Sequence, residues 1–174
     1  MDETPTPLSD EAAAAIIEVL GRHGVDFVLI GGFAVQLHQV EGLTRTGDLD
    51  VTPSTTRANL ERLAGALTEL EACLRGKGLP DAGLPVSWHV DLLLRMELAL
   101  NLITRYGPLD IALHPSGTDG YDDLVRDART MAVGDQEAAT ASLADIIRSK
   151  SAAGRTKDAL ALPALERHLR RTES

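Results

Sequence analysis

Apolar residues fall in two periods along this chain, and the switches between them mark its elements. Ala13, Ile16, Ile17 and Leu20 recur at helical spacing, so a first helix capped by Ser9 runs to about His23 and stops at Gly24. Asp26-Phe27-Val28-Leu29-Ile30 reads as a short buried strand, followed by Gly31-Gly32 and a second helix over about 32–40. A second strand covers 48–52 and ends at Pro53. Ser54 or Thr55 then caps a third helix, which Leu60, Leu63, Ala64, Leu67 and Leu70 carry to about Leu74. Arg75 to Pro85, with three glycines and two prolines, reads as a loop.

Beyond that loop, Leu98 to Thr104 and Leu109 to Ala112 are apolar runs joined through Tyr106-Gly107-Pro108, a β-hairpin pattern. Pro115 to Gly120 is another loop. Ser142-Leu143-Ala144-Asp145 has capping-box spacing and opens a helix that Gly154 ends. A last helix starts near Arg155, and Pro163 is expected to break or restart it. The chain therefore reads as α+β, a small mixed sheet with helices packed on it. A core over 1–135 carries a short C-terminal helical segment over 136–174, the two making a single domain.

At 174 residues the chain can bury a genuine core, but only 3% of it is aromatic, so that core rests on Leu, Ile, Val and Ala. No apolar stretch approaches the roughly 20 residues of a membrane span. Met1-Asp2-Glu3-Thr4-Pro5 lacks the charged-then-apolar order of a signal peptide. Cys73 stands alone among apolar neighbours and reads as a structural thiol. The expectation is a cytoplasmic protein with no membrane partner. Net charge is −9, which argues against non-specific nucleic-acid binding by the whole surface. Residues 145–174 nevertheless carry +3, enough to set positive charge beside an acidic site.

The chemistry concentrates after the first strand. A strand, two glycines and a helix start make a place where backbone N–H groups face a phosphate. The second strand carries Asp48 and Asp50 on one face, their Cα atoms roughly 6.6 Å apart. Two such carboxylates suit a pair of divalent ions about 3.5–4 Å apart. Asp110 lies between Leu109 and Ile111 in an apolar strand, where a carboxylate is costly unless exposed, paired or metal-bound. It is the leading candidate for a third metal carboxylate, or for the base that takes a hydroxyl proton. Asp91, in Trp88-His89-Val90-Asp91, is the competitor. Lys150 follows Ile146 by one helical turn and shares its inward face, so its ammonium either snorkels outward or enters a cleft. His38 reads as a core or turn-bonded histidine.

Gly31-Gly32, Ala34, His38, Arg45, Thr46, Asp48 and Asp50, with Asp110 and the run Leu143 to Asp158, resemble the signature of polymerase β-like nucleotidyltransferases. The details are most similar to the AbiE-type and MenT-like toxins of toxin–antitoxin systems. The likeness spans about residues 25 to 165 and implies the nucleotidyltransferase fold. It also implies that Asp48, Asp50 and Asp110 hold Mg2+ or Mn2+. By the same resemblance Gly31, Gly32, Arg45 and Thr46 bind the nucleotide, with Lys150, Arg155 and Lys157 alongside, and Lys150 and Asp158 are needed for activity. Two departures bear on acceptor choice: Ala161 stands where the family often has an acid, and the C-terminal helical part is abbreviated.

The resulting expectation is transfer of NMP from an NTP to RNA, at the tRNA acceptor end, by a toxin silenced by an antitoxin encoded nearby. Two rivals remain. One is a nucleotidyltransferase of small molecules such as antibiotics; the other is a catalytically silent binding module of the same fold.

Overall fold

The computed structural model describes residues 6–173; Met1–Pro5, and with them the N-terminal reading above, lie outside the described residues. An eight-stranded mixed sheet organises the chain, with strand order β4-β3-β5-β6-β2-β1-β8-β7. Helix α1 (Asp10–Arg22) is capped by the Ser9 side chain, which accepts from Ala12 N–H. Strand β1 (Phe27–Ile30) leads directly into α2 (Gly31–Leu37), and β2 (Leu49–Pro53) returns antiparallel to β1. Helix α3 (Arg57–Glu69) starts one residue later than expected, because Thr56 rather than Ser54 or Thr55 caps it.

That third helix also ends early. Leu70 caps it and Glu71 takes a positive φ of 53°, so Cys73–Leu74 leaves as strand β3 instead of a fifth helical turn. The loop read over 75–85 therefore closes a hairpin between β3 and β4 (Leu84–Pro85). Cys73 is only half-buried there. The short helix α4 (Val90–Leu94) leads to β5 (Leu100–Thr104) and β6 (Gly107–Ile111), the expected hairpin, with Thr104 opposite Gly107.

After α5 (Tyr121–Leu124) comes a hairpin with no counterpart in the sequence reading. Strands β7 (Arg129–Val133) and β8 (Gln136–Thr140) pair around Gly134-Asp135, and β8 runs parallel to β1. Residues 136–140 thus belong to the sheet, and the C-terminal helices begin only at α6 (Leu143–Ala153). Ser142 caps α6 through Asp145 N–H, and Gly154 ends it in the left-handed region. Helix α7 (Thr156–Thr172) continues past Pro163, contrary to the expected break. Both Pro163 and Ala159, whose carbonyl loses its helical partner, are exposed, so water can satisfy that carbonyl.

Strand alternation decides what each sheet face carries. Leu49 and Val51 of β2, Leu109 and Ile111 of β6, and Leu100 and Leu102 of β5 join α1 and α3 in one core cluster. Their alternates Asp50, Asp110 and Asn101 must then point to the opposite face. A second cluster, with Val28, Ala34, Val35, Leu143, Ile146 and Leu165, seats α2, α6 and α7 beside that opposite face. The polar residues of β2, β6 and β5 are left uncovered between the sheet and the C-terminal helices.

Candidate active site

The uncovered face forms an open cleft of about 850 Å³. Its floor is set by register. Ile30 pairs with Asp50, Asp50 with Asp110, and Asp110 with Asn101, in one row across four strands. Asp48 enters from the residue before β2, completing a group in which Asp48, Asp50 and Asp110 each offer an oxygen within 4.8 Å of the others. Asp91, the competitor, opens α4 and pairs with Arg57 at 3.0 Å, so it is not part of this group.

Gly31 allows Asp50 to stand where it does. Its φ is +65°, and a Cβ there would lie 2.8 Å from Asp50 Cγ. Gly32 faces Thr46 in the same manner, with 2.9 Å from a built Cβ to Thr46 Cβ. Thr46 N–H donates to Gln36 Oε1 at 2.6 Å, docking the loop on α2, and Thr46 Oγ1 donates to Asp48 Oδ1 at 2.7 Å. No side chain caps α2, so the N–H groups of its first turn lack a helical or side-chain acceptor at the cleft wall.

On this crowded, partly buried floor the charge of Asp50 and of Asp110 is disfavoured. Burial, then the neighbouring Asp48 and Asp110, push the Asp50 carboxyl up to about 7, against a smaller pull from Lys157 and Lys150. Burial also raises Asp110, to about 6, although Arg75 opposes the shift. An all-oxygen, anionic donor set of three carboxylates fits a hard divalent cation.

The basic wall comes from α6 and α7. Lys150, Arg155 and Lys157 all line the cleft. The inward orientation of Lys150 wins over snorkelling: its Nζ donates to Asp158 Oδ1 at 3.0 Å, and its side chain is 17% exposed. Asp158 is fully buried and also accepts from Arg155 Nε at 2.6 Å. Burial alone would raise its carboxyl, but the bonds from Arg155 and Lys150 outweigh that and hold it below its ordinary value. Asp158 thus lies behind the cleft wall as the anchor of Lys150 and Arg155. Arg45 is not brought to the cleft; its Nη2 pairs with Asp10 at 2.9 Å on the exposed rim of α1. His38 is turn-bonded, its Nε2 2.8 Å from Ala141 O, and burial lowers its pKa.

Three residues at the site carried no signal in the sequence reading. Asn101 lines the cleft beside Asp110, and His114 lines it further along the loop after β6. Arg75 touches two of the three carboxylates, with Nη2 2.7 Å from Asp110 Oδ1 and 3.2 Å from Asp48 Oδ2.

Sequence comparison finds no matching family and no similar curated protein. Solved structures do match. The lincosamide antibiotic adenylyltransferase LnuA, bound to lincomycin, superposes with a TM-score of 0.61 over 92% of this chain and 98% of that one, at 14% identity. The solution structure of the antibiotic-resistance factor ANT(2'')-Ia matches with a TM-score of 0.58 at 13% identity, covering 92% of this chain and 83% of that one. ANT(2'')-Ia in complex with adenylyl-2''-tobramycin gives 0.55, also at 13% identity, covering 92% and 88%. The chain therefore has the nucleotidyltransferase fold. At these identities the likeness establishes architecture, and the chemistry rests on the site itself.

Proposed function

We propose that this protein is a metal-dependent nucleotidyltransferase that moves NMP from an NTP to an acceptor hydroxyl. The observation that carries this reading is the three-carboxylate floor, Asp48, Asp50 and Asp110, packed directly beside the Gly31-Gly32 turn in one cleft of the fold. A divalent ion bound by those carboxylates would polarise the α-phosphate and neutralise charge on the reacting oxygens. The first turn of α2 offers its backbone N–H groups to the triphosphate. Lys150, Arg155 and Lys157 offer cations from the opposite wall, where charge on the departing pyrophosphate develops. Asp110, on the same cleft floor, accepts the proton of the acceptor hydroxyl. The hydroxyl oxygen bonds to the α-phosphorus, the bond to the bridging oxygen breaks, and pyrophosphate leaves.

For the acceptor, the resemblance to AbiE-type and MenT-like proteins supports RNA, at the tRNA end, in a cytoplasmic toxin held in check by an antitoxin. The basic segment 145–174, beside the cleft, suits a polyanionic acceptor. A second reading, transfer to a small antibiotic, is favoured by one observation: the matched structures are adenylyltransferases of lincosamide and aminoglycoside antibiotics. The protein incubated with Mg2+, each α-labelled NTP and either total tRNA or lincomycin and tobramycin separates the two. Label on tRNA alone supports the first reading, and label on an antibiotic alone replaces it with the second.

A further inference from the structure

Arg75 belongs to none of the motifs that mark the site. It directly follows β3, and two bonds tie it to β5: its backbone N–H donates to Asn101 O at 2.9 Å and its Nε to Leu102 O at 3.1 Å. The β3–β4 hairpin that presents it closes tightly at Gly83, where a Cβ would lie 2.6 Å from Cys73 Cβ. Held in this way, one terminal nitrogen of Arg75 lies between Asp110 Oδ1 and Asp48 Oδ2. A cation shared by these two carboxylates would need that same space.

We propose that Arg75 is a resident counter-cation of the triad, competing with the divalent ion for Asp48 and Asp110 and so setting the metal affinity of the site. The inference deepens the metal-dependent reading above and rests on it.

Two effects of opposite sign attach to such a residue. As a scaffold, Arg75 would hold Asp110 in a metal-binding rotamer and raise affinity. As a competitor, its permanent charge lowers the pull of the carboxylates on a second cation. The scaffold effect is small here, because β2 and β5 already fix Asp110 through paired strands on both sides. What remains for Arg75 to order is one short side chain. The charge effect is large, since a full positive charge bonds directly to two of the three carboxylates that a metal would use. Competition therefore outweighs scaffolding, and removal of the guanidinium should tighten metal binding. Arg75 acts through the carboxylates and is a positioning residue.

The test is a Mn2+ titration of the full chain without nucleotide, followed by electron paramagnetic resonance of the free ion. Wild type, Arg75→Gln and Asp50→Asn are compared. Arg75→Gln is expected to bind Mn2+ about tenfold tighter than wild type, while Asp50→Asn loses the site. Binding by wild type with equal or weaker binding by Arg75→Gln overturns this proposal and leaves the metal reading intact. No binding by either overturns both. The wild-type chain gives an independent readout: its Arg75 guanidinium NMR signals should shift on saturation with Mg2+, and unchanged signals at saturation overturn the competition.

Discussion

Gly31 and Asp50 stand so close that a methyl group on the glycine would lie 2.8 Å from the Asp50 Cγ. The turn proposed to bind phosphate and the carboxylate proposed to bind metal are one unit, joined by the pairing of Ile30 with Asp50. Gly31→Ala faces two penalties: the left-handed φ of +65° and displacement of Asp50. The backbone part costs about 1–2 kcal/mol. Thermal unfolding should show that loss, and NMP transfer should fall at least about tenfold, because a small misplacement of a reacting group costs up to 10² in rate. Unaltered transfer would show that the cleft tolerates a shifted Asp50.

Asp110 is the carboxylate assigned to the acceptor proton. Asp110→Asn keeps the shape and hydrogen-bonding capacity toward Arg75 but removes the base. Transfer should fall by about 10²–10⁴, the range for loss of general-base assistance. In the metal-free chain the Asp110 carboxyl should titrate at about 6 by NMR, and an ordinary carboxylate value there would contradict the crowded, half-buried setting assigned to it.

The same carboxyls make stability depend on pH. In the folded chain Asp50 titrates at about 7 and Asp110 at about 6, both above the carboxylate value of 3.8. Between those limits these two carboxyls bind more protons in the folded state than in the unfolded one. Their contribution to stability falls as pH rises, against a smaller rise from half-buried His38. In chelator, Tm should therefore drop between pH 4 and pH 7 (a window that follows from those values). Mg2+ should restore it most at the alkaline end, where it need not displace a proton. Asp50→Asn should raise the chelator Tm at neutral pH and abolish the response to Mg2+. A Tm that rises with pH in chelator runs against the assignment.

Asp158 anchors the basic wall. Asp158→Ala leaves Lys150, 17% exposed, without its counter-charge while Arg155, 60% exposed, stays solvated, so it should destabilise by thermal or urea unfolding. Lys150→Met leaves Asp158 its bond to Arg155, and should lower stability less while lowering transfer. Equal destabilisation by both variants, with transfer following stability, would reduce Lys150 to a structural role.

Much of this was legible along the chain. The strand, Gly31-Gly32 and the Asp48–Asp50 spacing were readable because alternation and glycine placement are local. The β5–β6 hairpin carried Asp110 with it for the same reason. Two hairpins were not readable. Strand β8, Gln136-Glu137-Ala138-Ala139-Thr140, is composed mostly of good helix formers, and its strand conformation comes from pairing with β1 and β7. The Gly134-Asp135 turn was its one local sign. Strand β3 is two residues long and continues a helical pattern, so Arg75 reads as part of a loop. Its contact with Asp48 and Asp110 joins residues 27 and 35 positions apart, and no pattern of one strand or helix records that. The placement of Arg45 against Asp10 on α1 is likewise a tertiary fact.

The most direct measurement of the central claim follows the α-phosphate. The protein is incubated with Mg2+, acceptor, and NTP labelled at either the α- or the γ-position, beside Asp50→Asn. α-Label should appear on the acceptor, γ-label should leave in pyrophosphate, and the variant should transfer neither. Transfer of γ-label to the acceptor, or α-label transfer by Asp50→Asn at the wild-type rate, would contradict it.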